Sequence, residues 1–222
     1  MYQFDFAPVF ANFDHLLAGA AVTLELSCGA MLIGLVISIL CASAKTSNIA
    51  PLRWVVSIYV EAIRNTPFLV QIFFIYFGLP AIGVSLDPNP AALLALVVNV
   101  GAYGTEIIRA GVESIQRGQM EAGVALGLSR YQIFSYIVLK PALRTVYPAL
   151  TSQFIFLMLT SSVVSVISAT DLAAAGNDVN SQTFASFETY IVVTAMYLVM
   201  SSALSGLFST VQRIAFRYPL SR

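Results

Sequence analysis

Charged side chains set within apolar stretches carry the first chemical information in this sequence: Glu61 with Arg64, and Glu106 with Arg109. Each pair is three residues apart, a spacing that places both side chains on one helix face within ion-pair reach. Charges in apolar surroundings are costly and default to a function; a structural clamp is favoured here over contact with a solute. Glu25 has no partner nearby in the chain and either lines a path or reaches a basic group on another helix. A second constellation is neutral. At 100° per residue, Gln153, Thr160, Ser161, Ser165 and Ser168 fall within an arc of about 140°. Such a stripe suits a transient site for a polar solute, because it offers hydrogen bonds without trapping charge; helix packing through small hydroxyl residues is the equal alternative. Asn99 and Gln71 are lesser candidates on neighbouring elements. No catalytic residues are expected. The chain has one histidine, His15, and no Gly-Lys pair, so it lacks both a credible Ser–His arrangement and the phosphate cradle of nucleotide-binding loops. No His/Cys/Asp/Glu cluster has metal-ligand spacing, and neither a metal nor a cofactor is expected in the chain.

The elements that must position these residues follow from composition. Of 222 residues, 58% are hydrophobic and only 10% charged, against roughly 25% charged in soluble domains. No charge falls in 26–44, 65–86, 88–105, 145–170 or 189–212. A helix crosses the hydrocarbon core with about 20 apolar residues, and uninterrupted apolar runs do not fit the alternation of a membrane barrel. The expected fold is all-α and polytopic: a single membrane domain over 1–222 with spans near 16–43, 54–82, 90–112, 145–169 and 188–212 and a loop over 113–144. The first 15 residues do not resemble a cleaved signal peptide. Cys28 and Cys41 share one predicted helix about 20 Å apart, beyond disulfide reach.

Five spans place the N-terminus and the segments 83–89 and 170–187 on one side. That side carries Asp5, Asp14, Asp87, Asp171, Asp178 and Glu188 and no Lys or Arg. All 11 basic residues lie on or near the other side: Lys45, Arg53, Arg64, Arg109, Arg117, Arg130, Lys140, Arg144, Arg213, Arg217 and Arg222. The positive-inside rule makes the basic side cytoplasmic, with the N-terminus outside, the C-terminus inside and the 113–144 loop in the cytosol.

Two short helices are expected in that loop. Glu121 suits the first turn of a helix over 119–126, Gly127 a left-handed stop. Ser129 with Gln132 forms a capping box opening a second helix, which is expected to end near Pro141. Ala122, Gly123 and Ala125 make a compact face that permits close approach.

This loop resembles the signature of permease subunits of ABC importers: Glu-Ala-Ala, three residues, Gly, nine residues, Ile-x-Leu-Pro. Glu121, Ala122, Gly127, Ile137 and Leu139 match in register, while Gly123 replaces an Ala and Lys140 the Pro. Glu61–Pro67, Gln71–Pro80, Gly101–Tyr103, Glu106–Gly111 and Ser114–Gln119 resemble segments of the polar amino-acid subfamily (His/Glu/Gln/Arg type), and similarity covers roughly 16–215. Related permeases often have Lys-Asp where this chain has Leu159-Thr160; loss of that carboxylate weakens a cationic-substrate reading only slightly, because other residues can compensate. The resemblance implies a type I importer permease fold in a bacterial inner membrane and a dimer of permease subunits, identical or paralogous. It also implies a cytosolic ABC ATPase dimer that uses ATP and Mg, an extracytoplasmic substrate-binding protein, and no nucleic-acid partner. It further implies that Glu121, Ala122, Gly123, Gly127 and Ser129 belong to the element that couples to the ATPase. Two other classes stand beside it: an ion-coupled transporter using Glu25 and Glu106, and a membrane anchor that recruits a cytosolic protein.

Overall fold

The computed structural model describes residues 4–216, all helix and connection. The short helix α1 (Ala7–Ala11) leads into α2 (Phe13–Lys45), followed by α3 (Ala50–Arg64) and α4 (Phe68–Phe73). A π-helical stretch Phe74–Gly78 and a 3-10 turn Leu79–Ile82 extend α4. Next come α5 (Pro88–Glu113), α6 (Arg117–Ala125), α7 (Arg130–Gln132), a π-helix Ile133–Leu139 and α8 (Lys140–Thr160). A 3-10 helix Ser161–Ile167, α9 (Leu172–Thr183) and α10 (Ser186–Ala215) complete the described chain. Arg217 and Arg222, counted among the basic residues above, lie outside the described residues.

Four helical segments are long and apolar enough to cross a membrane: Phe13–Lys45, Pro88–Glu113, Arg130–Ile167 and Ser186–Ala215. A fifth is available if Ala50–Arg64 and Phe68–Ile82 are taken together, but these two are bent by 111°. One straight span over 54–82 therefore does not form. Pro67 lacks the N–H that would continue the ladder, and its ring disfavours helical backbone at Thr66. The amide of Gln71 takes up the loose ends of the break: Nε2 donates to the carbonyls of Ile63 at 2.7 Å and Thr66 at 3.0 Å.

The centre of the bundle is the α2–α5 pair, joined by α8. Leu26, Ala30 and Met31 of α2 pack with Ala92, Leu96 and Val100 of α5 and with Phe154, Leu157 and Met158 of α8. Small residues set the approach. A Cβ on Gly34 would stand 2.6 Å from Val100 Cγ1, so the helices can meet there only because one side chain is a hydrogen atom. Ser38, fully buried in the seam, donates to the carbonyl of Gly34 at 2.7 Å and lies 3.2 Å from that of Val100. At the acidic end, α9 closes over the start of α2. Its N-cap Asp171 is buried and accepts from Ala174 N–H at 2.9 Å. Thr23 of α2 accepts from the Leu172 N–H at 3.0 Å.

The second correction concerns Pro141. The chain does not stop there, because Ile133–Leu139 winds as a π-helix and runs directly into α8. Wider π turns displace the i→i−4 ladder that proline would otherwise break. The hairpin and the fourth span are one continuous helical rod.

Candidate functional site

The hairpin over Arg117–Leu139 is built by local chemistry. Gly127 ends α6 with φ 74°, in the left-handed region. Leu128 N–H donates to the Gly123 carbonyl at 3.1 Å and Gly127 N–H to the Val124 carbonyl at 3.0 Å, the paired 6→1 and 5→2 bonds of a Schellman stop. Ser129 then opens α7: its Oγ accepts from the Gln132 N–H at 3.3 Å, while Gln132 Oε1 accepts from the Ser129 N–H at 2.9 Å. Gly123 is buried beneath the π-helix, and a Cβ there would lie 2.6 Å from Ile137 Cδ1 and 3.1 Å from Ile133 Cγ1. The glycine thus fits its own neighbours, which sequence alone registered only as a departure from a pattern. Ala122 and Ala125 face solvent rather than the hairpin's interior, as do Glu121, Val124, Leu126 and Tyr131. Leu126 and Tyr131 are each 78% exposed, an apolar tip on an otherwise polar loop.

At the same end of the bundle lies a charge cluster centred on Glu106. Arg109 donates to Glu106 Oε2 from Nε at 3.1 Å and Nη2 at 2.8 Å, and to Glu113 from Nη1 at 2.5 Å. Lys45, at the end of α2, pairs with Glu106 Oε1. Arg64 stands 3.9 Å from Glu106 Oε2 and 5.7 Å above the Tyr103 ring. The expected Glu61–Arg64 contact is absent: Glu61 accepts from Asn65 Nδ2 at 2.9 Å instead. The i,i+3 spacing permits that contact, but the α3–α5 packing draws Arg64 across to α5. Lys45 was missed for the complementary reason, since its partner is 61 residues away. Its position, closing the first charge-free stretch at the basic side, was the available signal.

Among the polar candidates the structure separates occupied groups from unoccupied ones. Gln71 and Asn99 meet, with Asn99 Nδ2 donating to Gln71 Oε1 at 3.1 Å. The opposite end of Gln71 is committed to the α3–α4 break, so this side chain braces the bend. Thr160, Ser161 and Ser165 donate back to Phe156, Met158 and Ser162 carbonyls at 2.8, 2.7 and 2.8 Å. The stripe drawn at 100° per residue also fails beyond Thr160. From Ser161 the helix tightens to 3-10, which eclipses residues three apart and groups Ser162 with Ser165. The tight helix ends at Ser168, itself left-handed at φ 64°. Gln153 is different: its Nε2 is buried without a hydrogen-bond partner. An unpaired buried amide costs about 1–3 kcal/mol, and among these candidates this atom is the one left with an unused donor. Glu25 is exposed on the outer face of α2 between exposed Leu24 and Leu32, and makes no hydrogen bond or ion pair among the described residues. Nor, among those residues, does any group of three or more His, Cys, Asp or Glu side chains converge as metal ligands would.

Comparison with known proteins agrees with this geometry. Residues 34–216 match the family model described as "Binding-protein-dependent transport system inner membrane component". The glutamine transport system permease protein GlnP of Escherichia coli (strain K12) is 36% identical over 213 residues, 95% of this chain and 97% of that one. The L-cystine transport system permease protein TcyB of Bacillus subtilis (strain 168) is 35% identical over 201 residues, 90% and 86% of the two chains. A solved structure of an amino acid ABC transporter with histidines superposes with TM-score 0.89 at 36% identity, covering 96% of this chain and 99% of that one. The MetNI methionine ABC transporter, inward facing, superposes at TM-score 0.73 with 22% identity, covering 90% and 95%; it shares the fold.

Proposed function

Because the chain belongs to the binding-protein-dependent transport system inner membrane components, we propose that it drives solute movement through its hairpin, as the membrane subunit of an ABC amino-acid importer whose ATPase is a separate chain. The observation that carries this reading is the continuity of the hairpin with the fourth span. Arg130–Ile167 forms one 38-residue helical segment, so a displacement applied at Tyr131 is carried toward Gln153 along a single helical segment.

In this reading the exposed apolar tip, with Glu121, Ala122, Gly127 and Ser129 around it, docks on the cytosolic ATPase dimer, and Gly123 lets the two hairpin arms close. The clamp of Lys45, Glu106 and Arg109 ties the inner ends of α2 and α5 together, so that α8 moves against a rigid pair. The translocation path runs beside Gln153, with Thr160 further along the same helix. Its solute is a polar amino acid or a close analogue, delivered by an extracytoplasmic binding protein. A second permease subunit, identical or paralogous, completes the path. The N-terminus faces outside, a reading supported by the gathering of the basic residues at the opposite end. The ion-pair partners of Glu106, which are Lys45, Arg109 and the more distant Arg64, count against its service as a proton or ion site.

The test is uptake by proteoliposomes holding the permease with its co-purified subunits. Uptake that depends on ATP and on added binding protein supports the proposal. Uptake driven by an ion gradient alone, or none under any condition, overturns it.

A further inference from the structure

At the end of the bundle opposite the basic residues, five phenylalanines form a continuous chain of rings from α10 to α2. Phe187 and Phe4 lie 5.6 Å apart, Phe4 and Phe6 6.3 Å, Phe6 and Phe10 6.4 Å, and Phe10 and Phe13 6.1 Å. Backbone chemistry holds the arc in place: the Asp5 N–H donates at 3.0 Å to Glu188, a buried side chain at the start of α10. Yet Phe4, Phe10, Phe187 and neighbouring Phe184 turn outward, each 58% or more exposed.

Two grooves flank this arc. One, of about 970 Å³, runs from Phe4 and Phe187 down α10 past Ile191 to Leu198. The other, of about 730 Å³, runs between α2 and α10 from Phe10 past Leu17 to Leu24 and Val199. Neither contains a charged residue, and the second contains no polar side chain. Both open onto the faces of α2 and α10 that expose Leu24, Leu32, Leu198, Val199 and Leu207, a surface that is apolar apart from the exposed Glu25 of α2 and suits acyl chains. Depth agrees. Phe187 to Ile214 spans about 40 Å of helix at 1.5 Å per residue, one hydrocarbon core with its headgroup regions, so the ring chain falls at the membrane–water boundary. A surface for a reversibly bound protein would carry a polar rim and hydrogen-bonding groups; the second groove has none, and the polar side chains of the first are Ser186, Tyr190 and Thr194, of which Ser186 and Tyr190 already donate to Asn180 and Asn177.

We propose that the phenylalanine arc is a phospholipid seat. Acyl chains of the leaflet on that side fill the two grooves, the rings lie at the headgroup boundary, and the N-terminal segment is thereby held flat on the membrane. Assignment to the outer leaflet rests on the orientation given above.

The test places tryptophan at Phe187 or Phe10, one at a time, in the permease complex carrying Trp54→Phe and reconstituted with phospholipids brominated at defined acyl positions. Quenching strongest for bromine at the shallow acyl positions, with weak quenching by aqueous acrylamide, is the expected result. Full acrylamide quenching with no bromolipid effect overturns the proposal, as does an emission change produced only by added binding protein, which would make the arc a protein-docking surface. The two positions occupy different grooves, so a variant that fails to assemble leaves the other to decide. Bromolipid depth is read in either leaflet; a reversed topology would therefore fail the orientation experiment and leave this result standing.

Discussion

Gly127 occupies open space: apart from its own chain neighbours, nothing lies within 4 Å of where its Cβ would be. Its requirement is conformational, since a β-carbon in the left-handed region costs about 1–2 kcal/mol. Gly127→Asn, a residue that tolerates this region, is expected to keep near-normal uptake. Gly127→Asp keeps a usable backbone but puts a charge on the proposed docking surface; ATPase retention and uptake should fall together while membrane insertion stays normal. Pull-down of the ATPase subunit and uptake assays read both. The Glu106 cluster makes a separate prediction. Glu106→Gln leaves Lys45 and Arg109 without their shared anion. With the side chains 15% and 29% exposed for Glu106 and Arg109, a loss of about 2 kcal/mol is expected, seen as a lower melting temperature of the detergent-solubilised complex. Arg64 should add little, at 3.9 Å from the carboxylate and 39% exposed. In the proposed path, Gln153→Leu removes the unpaired buried amide. It should leave thermal stability unchanged or raised while reducing uptake; unchanged uptake with raised stability would assign Gln153 to packing.

At the scale of elements, proline decides two junctions in opposite ways. At Pro67 the helix breaks and bends, because nothing restores its ladder except the side chain of Gln71. At Pro141 the helix continues, because the preceding turns have already widened. Pro141→Ala restores a donor and removes the reason for the π turns. Relaxation of Ile133–Leu139 to α-helix would turn the hairpin relative to α8, so ATP hydrolysis is expected to persist with less uptake per ATP. The ratio of solute moved to phosphate released in proteoliposomes reports this. Ser129→Ala removes one side of the capping box and should cost about 1 kcal/mol of local helix stability, measurable as faster amide exchange at Gln132. Much of this element was legible beforehand. The Gly127 stop and the Ser129–Gln132 cap depend on residues one to three positions apart. The continuation through Pro141 was not legible, because the same proline is compatible with a stop or a π-bulge.

For the whole molecule, the segregation of charge predicts accessibility. With Cys28 and Cys41 replaced, a cysteine at Asp178 should react with a membrane-impermeant maleimide in intact cells, and one at Asn48, exposed in the α2–α3 connection beside Lys45, only after permeabilisation. Reversed labelling would invert the proposed orientation and the direction of transport with it. Composition and charge spacing were sufficient for an all-helical membrane protein, for the approximate positions of its long helices, and for a helical hairpin among its basic residues. Those properties arise from the cost of placing charges and free backbone groups in hydrocarbon, which each segment meets or fails by itself. Which carboxylate holds Lys45, where Arg64 turns, whether Gln71 braces a bend or faces a solute, and which amide in the fourth span is left unpaired depend on helices brought side by side. Only the packed bundle decides them, since each is a choice among partners far apart in the chain, and the winner is set by which helix faces meet.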